Sequence, residues 1–153
     1  MDMDRSVGLR LVLATAVLGV VYSYLLIFLV GWTSEIPWPS WWLGAFPNQH
    51  VAALIWIIGW HTIGVLSAAM PIAVAAVLVL RKQAMLLGIV VGVIATILGV
   101  VPSLRPDIWP LIWNNHPIFF ITDQIQLVVA VPVAIWIIQK LLPQNGIPTA
   151  AFG

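Results

Sequence analysis

Cysteine is absent from this chain of 153 residues, and charged side chains are scarce. Without cysteine the chain has no disulfide, no iron–sulfur cluster, no thiolate zinc site, no c-type haem attachment and no cysteine nucleophile. Six basic and five acidic residues give a formal net charge of +1. This balance provides no basic surface for a polyanion, so nucleic acid is not an expected partner.

Familiar catalytic motifs are missing as well. The sequence contains no phosphate-binding loop, no HExxH motif, no Ser–His–Asp order and no dense cluster of carboxylates. These patterns carry the chemistry of NTPases, zinc peptidases and hydrolases. A non-enzymatic protein is therefore favoured over an enzyme.

Hydrophobic residues, in contrast, make up 62% of the chain, and the mean hydropathy is +1.09. A soluble domain needs more polar surface than this composition offers. Four apolar runs are long enough to cross a hydrocarbon core of about 30 Å as helices. We predict one all-α integral membrane domain, with four transmembrane helices arranged as two hairpins. The predicted helices cover residues 9–31, 51–80, 84–101 and 118–139, with outer loops at 32–50 and 102–117 and a tail at 140–153.

Basic residues set the expected orientation. Five of the six fall on one side of the predicted helices and only Arg105 on the other. Because cytoplasmic loops carry an excess of Lys and Arg, we expect both termini in the cytoplasm, in a bacterial inner membrane. The five are Arg5, Arg10, Arg81, Lys82 and Lys140.

Small residues recur at four-residue spacing in three of the runs. Such residues lie on one helix face and allow another helix to approach closely, so we expect them to be packing sites. They are Thr15, Gly19 and Ser23 in the first run, Gly64 and Ala68 in the second, and Gly88, Gly92 and Thr96 in the third.

Both outer loops are rich in Trp and Pro and resemble each other. Each contains a W-P-x-x-W motif followed by N-x-H directly before a helix. The likeness indicates an internal repeat, although Trp, Pro and Asn are also the ordinary residues of an interfacial loop. We expect the tryptophans of the two motifs, Trp38, Trp42, Trp109 and Trp113, to anchor the loops at the membrane surface.

Two sets of polar residues are candidate sites. His50 and His116 occupy equivalent positions of the repeat, and neutral imidazoles ligate b-type haem or copper. Hydrogen bonding of these histidines to the loop backbone, or capping of their helices, is the simpler alternative.

His61, Asp123 and Gln126 form the second set, inside the predicted membrane. His61 is 20 residues from Arg81 and Asp123 is 17 from Lys140, so their depths agree within about 5 Å. A carboxylate in lipid is costly unless it is paired or protonated. We predict a pair between His61 and Asp123, which can be a proton relay, a cation site or a structural tie.

Three functions are compatible with these residues. The first is a non-catalytic subunit or partner-binding component of a larger, energy-transducing inner-membrane complex, since such subunits need few special residues. The second is a haem- or metal-binding redox module that uses His50 and His116, or His61 and Asp123. The third is an oligomeric proton-coupled transporter or channel that uses Asp123 and His61. Expected partners are membrane lipid and other membrane subunits or copies of the chain.

Overall fold

The structure is a computed structural model that describes residues 2–115 and 117–141, with side chains from residue 8 and not at residue 115. This part of the chain is helical apart from short connections and contains no β-strand, which confirms the predicted all-α class. A 3-10 turn, Arg81–Gln83, joins the third and fourth helices. The helices are α1 (Asp2–Ser34), α2 (Ser40–Gly44), α3 (Gln49–Leu80), α4 (Ala84–Ser103), α5 (Trp109–Asn115) and α6 (Pro117–Leu141).

Three stretches of the described residues are long and apolar enough to cross a membrane. They are Gly8–Ser34, Gln49–Ser103 and Pro117–Leu141. The middle stretch has 55 residues and holds both the second and the third predicted membrane helices. As one straight helix it would be about 80 Å long, far more than a bilayer core needs.

The direction of α4 follows from its glycines. A Cβ added to Gly88 would lie 2.5 Å from Cδ1 of Ile135, and one added to Gly92 would lie 2.6 Å from the carbonyl oxygen of Val128. Residue numbers therefore rise along α4 as they fall along α6. The two helices are antiparallel and approach closely because these glycines have no side chains.

The direction of α3 is the opposite. His50 and Ile57 line a pocket with residues 117–119, and His61 lies beside Asp123 further along. Helix α3 is therefore parallel to α6 and antiparallel to α4. The chain reverses at the 3-10 turn, where Arg81 has a positive φ of 34°.

Helix α1 packs against α3 in the antiparallel sense. A Cβ on Gly64 would lie 2.6 Å from Oγ1 of Thr33, and at the other end Arg10 lines a pocket with Arg81 and Lys82. The core between the long helices consists mostly of small and branched apolar residues. Its fully buried members include Tyr22, Val65, Ala68, Ile72, Leu87, Val91, Val131 and Ile135.

The predicted membrane helices are longer in the structure than in the sequence analysis. Helix α1 continues to Ser34 rather than residue 31, and α4 runs past Pro102 to Ser103. Pro102 has no N–H to donate to the carbonyl oxygen of Leu98, and the helix ends one residue after it. The predicted tail beyond residue 141, and His116, lie outside the described residues.

The two outer loops have different local structures despite their shared motifs. Pro39 precedes α2 and leaves Trp38 outside the helix, whereas Trp109 begins α5 and stacks edge-on with Trp113 at 5.4 Å. Trp42 donates a hydrogen bond from Nε1 to the carbonyl oxygen of Ala52, at 2.8 Å. This hydrogen bond fastens the first loop to the start of α3.

The N-x-H motif at residues 48–50 is a helix cap. The Asn48 side chain accepts hydrogen bonds from the backbone N–H groups of His50 and Val51, at 2.9 and 3.4 Å. Asparagine is a favoured N-cap because it satisfies such otherwise free donors. In the second copy Asn114 lies inside α5, so the motif does not have the same structure there.

Candidate functional site

The predicted pair of His61 and Asp123 is present where α3 crosses α6. Nε2 of His61 lies 2.5 Å from Oδ1 of Asp123. The His61 side chain is 10% exposed and that of Asp123 is 23% exposed. Which of the two atoms carries the shared proton depends on the tautomer and charge of the pair. The contact is therefore a hydrogen bond between two ionisable side chains.

Neighbouring side chains hold the pair in this geometry. Nε2 of Gln124 donates to the second carboxylate oxygen of Asp123, at 2.8 Å. The His61 ring packs edge-on against Phe119, with 5.4 Å between ring centroids. Both oxygens of Asp123 thus have a partner, which lowers the cost of a carboxylate among apolar helices.

Gln126 does not join the pair, although the sequence analysis grouped it with His61 and Asp123. Its Nε2 atom donates to Oγ1 of Thr62 at 2.7 Å, and Thr62 donates in turn to the carbonyl oxygen of Ile58 at 2.6 Å. The Gln126–Thr62 bond is a separate tie between α3 and α6. Thr62 and Gln124 were missed as site residues, although each directly follows a predicted one.

Three buried polar atoms near the site have no hydrogen-bond partner among the described residues. They are the Tyr22 hydroxyl and the Oε1 atoms of Gln124 and Gln126. Tyr22 belongs to α1 and lies within electrostatic range of Asp123. Buried polar groups without partners are uncommon, so these three atoms are available for contacts with water or with a bound molecule.

His61 and Asp123 line a cavity of about 440 Å³. All four long helices contribute to its walls, which are otherwise nearly all apolar. This volume is within the range of small-molecule pockets, about 300–1,000 Å³. Its lining residues are Ser23, Leu26, Ile27, Val30, His61, Ala95, Leu98, Gly99, Asp123 and Leu127.

A second hollow, of about 470 Å³, continues from this cavity along the gap between α1 and α4. Ser23 and Leu98 line both spaces, so the two are adjoining. Here the predicted packing residues Thr15, Gly19 and Ser23 face an open groove instead of a helix. Apart from the adjoining backbone of α1, no described atom lies within 4 Å of a Cβ added to Gly19. The hydroxyls of Thr15 and Ser23 donate to their own helix, to the carbonyl oxygens of Leu11 and Gly19.

Most of the other predicted packing residues lie between helices. Gly64 contacts α1, and Gly88 and Gly92 contact α6. Ala68 is fully buried. The hydroxyl of Thr96 donates to the carbonyl oxygen of Gly92 within α4, at 2.9 Å.

His50 is exposed and distant from the His61–Asp123 pair in the fold, at the start of α3. Its proposed partner, His116, lies outside the described residues, so the haem or copper site stays a prediction. The described residues contain no group of three or more His, Cys, Asp or Glu side chains that could hold a metal ion. Among the described residues, no third side chain of these four types joins His61 and Asp123 as a metal ligand.

Comparison of the chain with protein-family models, with curated proteins and with solved structures gives no match in any of the three.

Proposed function

We propose that this chain is a proton-coupled membrane transporter with four membrane-crossing helices, α1, α3, α4 and α6. Four crossings follow if α3 and α4, which are antiparallel along α6, each span the bilayer. Arg10, Arg81 and Lys82 meet at one end of the bundle, which favours a cytoplasmic position for that end and for both termini.

The observation that carries the proposal is the His61–Asp123 pair at the wall of a cavity. Ionisable residues within membrane helices are costly, and those that occur mark proton and substrate routes. A purely structural tie would not need a titratable group. The Thr62–Gln126 hydrogen bond, one residue along α3, already links the same two helices with neutral side chains.

Access to the cavity supports a transport role over a static contact. With 23% of its side chain exposed, Asp123 can exchange its proton with a molecule in the cavity without separation of the helices. His61 has a second ring nitrogen, so it can accept a proton on one side and release it on the other. The pair can thus alternate between a protonated and a deprotonated state.

Infrared spectroscopy of the full chain in detergent tests whether Asp123 changes its protonation. As the pH is lowered, we expect the carbonyl stretch of a protonated carboxyl group to appear. Part of this band should vanish in Asp123→Asn. Asp107→Asn is the matched control, since Asp107 is an exposed carboxylate bonded to Arg105 at 3.0 Å.

The infrared difference spectrum can also contradict the proposal. If the wild type and Asp123→Asn give the same pH-dependent difference spectrum, Asp123 keeps one protonation state. The pair is then a structural tie between α3 and α6, and it does not carry protons.

A second candidate is a subunit of a larger membrane complex. The open α1 face at Thr15, Gly19 and Ser23 favours it, because small residues at such spacing accept a partner helix. A helix seated there would close the groove to small molecules. The binding experiment described below therefore separates the two candidates.

A further inference from the structure

We infer that the groove between α1 and α4 admits a lipid-soluble organic cation, which binds at the His61–Asp123 pair in exchange for its proton. This inference rests on the proposed function and names its substrate class. It combines the shape of the groove, the charge at its end and the apolar character of its walls.

The shape points to a molecule that arrives from the lipid. The groove has apolar walls along α1 and α4, from Leu11 at one end to Leu98, where it joins the cavity of the pair. Leu98 is 58% exposed and Ile27 is 75% exposed, so the gap faces outward from the bundle. A molecule dissolved in the bilayer can reach Asp123 sideways, while a hydrated ion would have to leave its water behind.

The charge of the His61–Asp123 pair favours a cation as the ligand. The titratable groups that line the cavity are His61 from α3 and Asp123 from α6. The buried Tyr22 of α1 does not line it but lies within electrostatic range of Asp123. Helix α4 has no titratable side chain along its length. With His61 neutral and Asp123 ionised the pair has a net negative charge, and no Lys or Arg lines the cavity. An organic cation complements that charge.

The walls favour an organic cation over a metal ion. A metal needs several oxygen or nitrogen ligands, and the described residues contain no group of three or more His, Cys, Asp or Glu side chains that could supply them. An organic cation instead buries apolar surface against Leu26, Val30 and Leu127 while its charge lies beside the carboxylate.

Competition between the cation and the proton for Asp123 couples cation binding to proton release. When the cation arrives, the O–H bond of the protonated Asp123 breaks, the proton passes through His61 to water, and the cation pairs with the carboxylate. Charge balances, because one positive charge replaces another. By mass action, cation binding strengthens as the pH rises and a proton gradient drives cation movement in the opposite direction.

Equilibrium binding of tetraphenylphosphonium to the full chain in mild detergent tests the inference. We expect saturable binding that strengthens with pH in the wild type. Loss of a charge-assisted contact is expected to weaken the affinity of Asp123→Asn by about 10- to 100-fold. Triphenylphosphine oxide, which is uncharged and similarly apolar, is expected to bind weakly and without dependence on pH.

A second pair of variants tests the route while leaving the ionisable groups in place. Leu98→Trp fills the junction of groove and cavity, and we expect it to weaken tetraphenylphosphonium binding at least tenfold. Ile97→Trp is the control, since Ile97 is on the same helix and 54% exposed but lines neither space. This comparison stays informative if Asp123→Asn fails to fold.

Three results would overturn the inference. One is equal binding of the charged and uncharged probes, which indicates simple partition into apolar surface. Another is unchanged binding in Leu98→Trp. The third is a stable dimer or complex that binds no probe until it is dissociated, which would mean that another chain occupies the groove.

A chain that binds no cation but still shows the infrared signal of Asp123 refutes this inference alone. The proposed proton site at His61 and Asp123 is then unaffected.

Discussion

Asp123→Asn should abolish pH-driven uptake of tetraphenylphosphonium into liposomes that contain the protein. The asparagine keeps the size of the side chain and can still hydrogen-bond to His61, but it neither binds a proton nor attracts a cation. Because exchange needs both steps at one carboxylate, the loss should be complete rather than partial. The loss is measured as uptake of radiolabelled tetraphenylphosphonium, after subtraction of the uptake by protein-free liposomes.

Asp107→Asn serves as the control for this result. Asp107 lies outside the helices, and its pairing with exposed Arg105 contributes little to stability. We expect uptake by this variant to match the wild type. Uptake that survives in folded Asp123→Asn would remove this carboxylate from any transport mechanism.

Gly92→Ala should cause the largest loss of stability among single glycine substitutions in the bundle. The added Cβ would lie 2.6 Å from the carbonyl oxygen of Val128 and 3.0 Å from that of Leu127. Both atoms belong to the backbone of α6, so only a shift of a whole helix relieves the clash. We expect a decrease in the free energy of unfolding of about 1–3 kcal/mol, measured by denaturation in mixed detergent.

Alanine substitutions at two other glycines serve as comparisons for Gly92→Ala. At Gly88 the nearest atom is Cδ1 of Ile135, the flexible end of a side chain, so Gly88→Ala should cost less. Gly59→Ala should be neutral or slightly stabilising, since no described atom lies within 4 Å and alanine is the better helix former. Equal losses at Gly59 and Gly92 would contradict the close approach of α4 and α6.

Counting residues from the basic ends was enough to predict the His61–Asp123 pair. Both helices have a regular rise, and both end near a basic residue, so depth in the membrane follows from sequence distance. The same count could not assign Gln126 to Thr62. One residue rotates a helix by about 100°, and small differences in helix rotation decide which of two adjacent polar groups meet.

Packing partners were harder to predict than packing residues. The spacing of Gly88 and Gly92 marks a face for close approach, but it does not say which helix occupies that face. In the fold it is α6, whereas the similar face at Gly19 is left open. Likewise the N-x-H motif predicted a special role for His50, but the side chain that makes the cap is Asn48.

The measurement that most directly tests the central claim is the number of protons released when tetraphenylphosphonium binds to the full chain in weakly buffered detergent solution. At a pH where the pair holds its proton, we predict about one proton released per cation bound. Asp107→Asn should release the same number and Asp123→Asn none. Cation binding without proton release would contradict the claim that proton and ligand share the His61–Asp123 site.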